Sequence, residues 1–273
     1  MEMRGNGPGW GQAIVIQTPN GHTYLYDTGS NYPGGEFDAG KEMIAPFLEK
    51  NHIKEIDGVV ISHSHRDHFG GFEYLMNNYK IKHLYDSGYK FTSDPKYDSI
   101  YKPEYISKGD KYKQVKKGDT LGWDKDLEIE ILSPPKGYIT EDPKNYSDPV
   151  DHHNPNANSV VMRMKYKNNV FLFIGDSNQS GQPYLIKHYN EKDLKATVLC
   201  LGHGGSFPQF AETVKPEIVV ESCLNGVDEP ANQAKKIYSQ VGSDVYATCW
   251  NGTVQVVSDG DNCTVSTERI YNQ

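Results

Sequence analysis

The sequence predicts an α/β fold, and three observations carry that prediction. Apolar, β-branched runs such as Gly58–Ile61 and residues 170–174 have the length and composition of buried strands. Several such runs end in chemistry-bearing residues: Asp27, His63, Asp176 and His203. Helical patterns then follow, as after Gly70-Gly71, where Phe72, Leu75, Met76 and Tyr79 share one face. Open α/β sheets place their functional groups at such strand-to-helix turns.

The bulk properties bound the rest. A chain of 273 residues can bury a large core, and without a visible repeat or linker it reads as one domain over residues 1–273. The net charge of −8 leaves no global basic footprint for nucleic acid. No apolar run has membrane-spanning length, and residues 1–7 lack the apolar core of a signal peptide. The expectation is a cytoplasmic chain or an exported mature form. Cys200, Cys223, Cys249 and Cys263 form no CxxC pair, which speaks against a structural zinc site and leaves their disulfide state open. Oligomeric state is not readable from the sequence.

In chain order, residues 5–11 are glycine-rich but follow no strand and contain Pro8, so they read as an entry loop rather than a dinucleotide fingerprint. Residues 12–17 and 23–30 read as strands joined by a turn at 19–22, and the second ends in Asp27-Thr28-Gly29. A loop at 31–39 precedes a helix that buries Ile44, Phe47 and Leu48, with His52 near its C-terminus. The histidine-rich turn and its helix come next, then a short strand at 81–85. Residues 86–118 interleave Tyr89, Tyr97, Tyr101, Tyr105 and Tyr112 with eight lysines. They read either as a surface that holds a phosphodiester and stacks a base, or as a solvated helical insertion. A strand at 127–132 stops at Ser133-Pro134-Pro135, and a polar loop runs to about 151. Strands at 160–164 and 170–174 follow, the latter ending in Gly175-Asp176. A helix at 183–189 leads to the strand at 196–201, which delivers His203. A strand at 216–222, a helix at 231–241 and a meander over 245–248, 253–257 and 264–265 complete the chain, with turns at Asn251-Gly252 and Asp259-Gly260.

Residues 62–71 read Ser-His-Ser-His-Arg-Asp-His-Phe-Gly-Gly, which places three histidines and an aspartate within six residues. Imidazole and carboxylate are the ligands divalent transition metals prefer at neutral pH. His63 and His65, two apart, point the same way on extended backbone and can grip one ion. Asp67 and His68, in a tight turn, can address a second, and a two-metal site needs its ions only about 3.5–4 Å apart.

His63-x-His65-x-Asp67-His68 resembles the HxHxDH signature of the metallo-β-lactamase-fold hydrolases. The surrounding Ser-His-Ser-His-Arg-Asp-His-Phe-Gly-Gly resembles most the branch containing the hydrolase domain of the bacterial DNA-uptake competence channel. The resemblance implies a four-layer αββα sandwich, two mixed sheets flanked by helices, with the metals at one edge. It implies a dinuclear centre: one ion on His63, His65 and a third ligand, a second on Asp67, His68 and His203, with Asp176 bridging and Asp27 supporting from beneath. The third ligand is His153, His152 or absent, because the branch tends to place Asn-x-Ser where this chain has Asn156-Ala157-Asn158-Ser159. The branch also has His-His-Gly-Ser where this chain has His203-Gly204-Gly205-Ser206. Asn158, Ser159 and Ser206 are implied as supporting or substrate-binding residues, and Asp67 as the catalytic one. Zinc suits the histidine-rich set, with manganese or iron as alternatives.

The implied function is a metallo-hydrolase that activates a bridging water, acting on a phosphodiester or related ester. The runner-up is a lactonase or β-lactamase type of C–O or C–N hydrolase, and a non-catalytic metal-binding or sensor module is the alternative of another class. The expected partner is a small-molecule or nucleotide-type substrate. Nucleic acid is not favoured by the net charge, and no membrane span is expected.

Overall fold

The computed structural model describes residues 2–3, 11–31, 37–90, 95–109, 111–137, 154–177, 181–203, 205–223 and 229–270. Its strands in chain order begin with β1 (Glu2–Met3), β2 (Ala13–Gln17), β3 (Thr23–Thr28), β4 (Glu55–Ile56), β5 (Gly58–Ile61), β6 (Lys80–Ile81), β7 (His83–Asp86) and β8 (Lys111–Gln114). They continue with β9 (Leu127–Ser133), β10 (Val161–Tyr166), β11 (Asn169–Phe173), β12 (Val198–Leu201), β13 (Ile218–Glu221), β14 (Asp244–Ala247), β15 (Val254–Ser258) and β16 (Cys263–Thr267). The helices are α1 (Ala45–Lys50), α2 (Arg66–Phe69), α3 (Phe72–Asn78), α4 (Lys102–Ser107), α5 (Gly181–His188), α6 (Glu191–Leu194), α7 (Pro208–Val214), α8 (Glu229–Tyr238) and α9 (Thr248–Asn251).

The strands form an eight-stranded sheet in the order β16-β15-β1-β2-β3-β5-β7-β8 and a six-stranded sheet in the order β14-β13-β12-β11-β10-β9, with β4 and β6 paired apart. Both sheets are mixed. β3, β5, β7 and β8 run parallel in the first, and β11, β12, β13 and β14 run parallel in the second. The alternation of side chains along each strand sorts them into layers. Val60, Ile14, Tyr26, Phe173, Cys200 and Val220 fill the space between the sheets. Val59, Ile61, Leu25 and Leu84 face outward onto Leu48, Phe72 and Leu75. Leu172, Leu199 and Val219 face outward onto Leu185, Phe210 and Tyr238. The result is the four-layer αββα sandwich expected from the resemblance. Strands covered on both sides must be apolar throughout, which is why Gly58–Ile61 and 170–174 read as unbroken apolar runs.

Three local expectations are corrected. β14 does not join a terminal meander: it pairs in parallel with β13, and only β15 and β16 form a hairpin. Asn251 therefore closes the short helix α9 instead of a β-turn. Residues 86–118 are helical over 97–107, as one alternative expected, but the tyrosines of that helix are not a stacking surface. Tyr97, Tyr101 and Tyr105 are buried against Phe69 and Phe72, behind the histidine-rich turn. The Tyr97 hydroxyl donates to Asp86 at 2.8 Å, and Tyr101 donates to Glu73 at 2.6 Å. Lys102 is also buried, paired with Asp86 and Asp98 at 3.0 and 2.7 Å. The segment ends in β8, an edge strand of the first sheet whose Lys111 and Lys113 face solvent, as charged residues on a sheet edge commonly do. Among the described residues, no helix is long and apolar enough to cross a membrane.

Candidate metal centre

The centre lies where the C-terminal ends of β3, β5, β11 and β12 converge from the two sheets, each strand delivering one polar turn. β5 ends at Ile61, and Ser62 begins the turn. His65 keeps extended backbone (φ −84°, ψ 143°) and caps α2, whose first turn carries Asp67 and His68. The extended stretch lets His63 and His65 reach the same space, and His63 Nε2 lies 2.9 Å from His65 Nδ1. Two nitrogens about 2.0–2.1 Å from one tetrahedral ion are roughly 3.3 Å apart, so this pair is close to a shared-ligand geometry.

The second group is drawn from three separate loops. Asp67, His68, Asp176 and His203 each offer a ligand atom, and these atoms all lie within 4.8 Å of one another. His203 Nε2 is 2.6 Å from Asp67 Oδ2 and 3.4 Å from Asp176 Oδ2. His68 Nε2 faces the same two carboxylates at 3.6 and 3.4 Å. The groups adjoin, since the His63 and His68 ring centroids are 4.1 Å apart.

Asp27 explains why His68 points as it does. It is fully buried at the end of β3, with φ of 59°. Its Oδ1 accepts the Ser62 backbone N–H at 2.6 Å, and its Oδ2 accepts the Ser62 hydroxyl at 2.7 Å and His68 Nδ1–H at 2.7 Å. A carboxylate on Nδ1 fixes the proton there and leaves Nε2 directed into the cluster. Close approach matters on the far side too: a Cβ at Gly202 would overlap Asp176 Oδ1, so only glycine leaves room for that carboxylate.

The electrostatics are those of a site that wants cations. Burial, reinforced by His68 and His65, holds His63 well below the ordinary histidine range, which keeps it neutral as a ligand must be. Burial would also lower His68 and His203. Asp176, Asp27 and Asp67 outweigh it at His68, and Asp176 and Asp67 outweigh it at His203, so both are raised. Burial conversely favours protonated Asp176 and Asp67, but His203 and His68 overcome it and hold both carboxylates low. Raised histidines beside depressed carboxylates are the pattern of a site that favours positive charge. Among the described residues, His68 Nε2 and Asp176 Oδ1 are buried without a hydrogen-bond partner, the signature of donors shaped for something other than each other. The donor set therefore fits divalent metal.

The remaining expectations divide. Ser159 Oγ lies 3.4 Å from His63 Nδ1, on the far side of the ring from His65. Asn158 is buried, but its amide donates to the Asn154 carbonyl at 2.8 Å, within its own loop. The Ser206 hydroxyl pairs with Gln182 Oε1 at 3.2 Å and Tyr238 at 2.6 Å, bracing the His203 loop from behind. His152, His153 and Gly204 lie outside the described residues. Gln182 is a residue the sequence reading missed. Fully buried, it donates to the carbonyls of Ser177 and Gly205 and so ties the Asp176 turn to the His203 turn. Nothing in its local sequence distinguishes it from a surface glutamine.

Fold and donor set together place a candidate metal-binding cluster at one end of an αββα sandwich. The family profile described as the metallo-beta-lactamase superfamily matches residues 6–206, and the chain belongs to that superfamily of metal-dependent hydrolases. Among curated relatives, it is 28% identical over 264 residues to ComE operon protein 3 of Bacillus subtilis, covering 90% of this chain and 32% of the relative. It is 26% identical to the competence protein ComA of Neisseria gonorrhoeae, covering 90% of this chain and 31% of the relative. The chain thus spans about a third of the length of these relatives. Among solved structures, the metallo-beta-lactamase fold protein YhfI from Bacillus subtilis superposes with a TM-score of 0.54 at 14% identity, covering 89% of this chain and 92% of that one.

Proposed function

We propose that the chain is a dinuclear metallo-hydrolase acting on a phosphodiester or related ester, with Asp67 as its catalytic carboxylate. The observation that carries this reading is the convergence of Asp67, His68, Asp176 and His203 within 4.8 Å, with His63 and His65 alongside. His63 and His65 would hold one ion and Asp67, His68 and His203 the other, with Asp176 between them. His153 is the favoured third ligand of the first ion, with His152 or no third histidine as the alternatives. Zinc is the ion this imidazole-rich set favours, and manganese or iron the alternatives its carboxylates admit. When bound, such ions supply a nucleophilic water at neutral pH and a Lewis acid for the scissile group's oxygen.

The chain's own residues do the rest. Asp27 keeps the His68 proton on Nδ1. Asp67, beside the ions, would orient the attacking water or accept its proton. Asp176, held ionised by its neighbours, neutralises charge between the two halves and fixes their spacing. The phosphodiester preference rests on the resemblance to the competence-channel branch and on the relative named a competence protein, since the metal core alone serves esters, amides and phosphodiesters alike. The net charge of −8 argues against tight binding of nucleic acid, so a small nucleotide-type substrate is favoured over a strand.

The test is a panel of bis-nitrophenyl phosphate, single-stranded DNA, a lactone and nitrocefin, run with zinc or manganese. Cleavage of the phosphodiesters is expected. Cleavage of only the lactone or nitrocefin would reject the substrate assignment, and cleavage of none, by protein that binds its ions, would favour a sensor.

A further inference from the structure

We propose that Gln12 is a positioning residue for the metal centre, setting the separation between the Asp67 turn of the first sheet and the His203 turn of the second. It has no solvent exposure and lies just before β2. Three of its groups make contacts, and each contact lands at or within two residues of the centre. Its backbone N–H donates to the Asp67 carbonyl at 3.1 Å. Its backbone carbonyl accepts the N–H of Gly29 at 2.7 Å, two residues after Asp27. Its side-chain Nε2 donates to the Leu201 carbonyl at 3.0 Å, two residues before His203 and 189 residues away in the chain. One residue therefore joins the strand end carrying Asp27, the helix carrying Asp67 and the strand carrying His203. The approach is close enough that a Cβ on the preceding Gly11 would come within 2.6 Å of the Asp67 carbonyl oxygen.

The other half of the amide supports this reading. Gln12 Oε1 is buried with no hydrogen-bond partner among the described residues. An unsatisfied buried acceptor is costly, and methionine would fill the same volume without it. Packing alone does not call for an amide here; the bond to Leu201 does. Gln182 forms the complementary tie on the outer side, between the Asp176 and His203 turns. The two glutamines hold the His203 loop from opposite faces.

This inference rests on the reading of Asp67 and His203 as ligands. It is tested by titrating ion-free native protein and Gln12→Met with cobalt(II), followed by calorimetry and visible absorption, alongside thermal denaturation of both ion-free proteins. The expected result is that one of the two ions binds about 10- to 100-fold more weakly in Gln12→Met with an altered spectrum. The other ion and the ion-free melting temperature should match the native protein. Identical titrations and spectra would overturn the inference alone. Equal weakening of both ions with a lowered ion-free melting temperature would overturn it too, because that is general loosening. Native protein that takes up no cobalt would overturn the centre itself. Should Gln12→Met fail to fold, Gln12→Asn, which keeps the amide but shortens its reach, is read by the same criteria.

Discussion

The two halves of the centre are assembled differently. His63 and His65 come from one extended stretch after one strand, and their geometry follows from two-residue spacing. Asp67, His68, Asp176 and His203 come from three turns on two sheets, and they meet only because the sheets close on a shared core. The first half is neutral histidine; the second is an interlocked set of carboxylates and raised histidines. The difference teaches that a local motif can supply half a metal site, while the charge-rich half depends on tertiary closure. Disturbance between the sheets should therefore damage the second half first.

The largest expected effect is at Asp67. Asp67→Ala removes a ligand and the proton acceptor together, and turnover should fall about 10²–10⁴-fold. Unchanged turnover on the phosphodiester would mean the catalytic assignment is wrong. Next is Asp27→Asn. Asparagine tolerates the positive φ at this position, so the fold should survive, but His68 loses its carboxylate partner. Ion affinity of the second half should drop about 10- to 100-fold in a metal titration. An equal loss in both halves would erase the distinction drawn between them. His65→Ala should do the reverse, lowering the ions retained per chain from about two to about one while leaving the Asp67 half loaded.

The ion-free protein should also show the asymmetry through pH. His68 is raised in the fold, so its contribution is fully present below the ordinary histidine range and is lost as pH rises through its folded value. Asp176 is depressed, so its contribution is present above the ordinary aspartate range and is lost as pH falls through its folded value. Thermal scans of ion-free protein should therefore show stability falling toward both acid and alkaline pH, with the alkaline fall diminished when metal replaces the imidazolium charge. An alkaline fall of the same size in the loaded protein would break that account. The smallest effect is expected at Tyr97→Phe. It removes one bond to Asp86 and should cost about 1.5 kcal/mol of stability without changing affinity for single-stranded DNA. A loss of DNA affinity would restore the stacking role to residues 86–118.

How much of this was legible follows the same division. The turn at 62–71 stands out because its donors are adjacent in sequence. Asp27, Asp176 and His203 could be anticipated because each ends an apolar strand in a family whose pattern is known. Gln12 and Gln182 could not, since an isolated glutamine carries no local signal and acts only through what the fold brings within 3 Å. The tyrosines of 86–118 misled for a related reason. Tyrosine is both apolar and polar, and only packing on Phe69 and Phe72 decides that these rings face inward. β14 looked like part of a meander because strand propensity says nothing about which sheet a strand will join.

The most direct test of the central claim is elemental analysis of protein reconstituted with zinc or manganese and then freed of excess ion. A dinuclear centre gives about two ions per chain. Fewer than one ion per chain would contradict it.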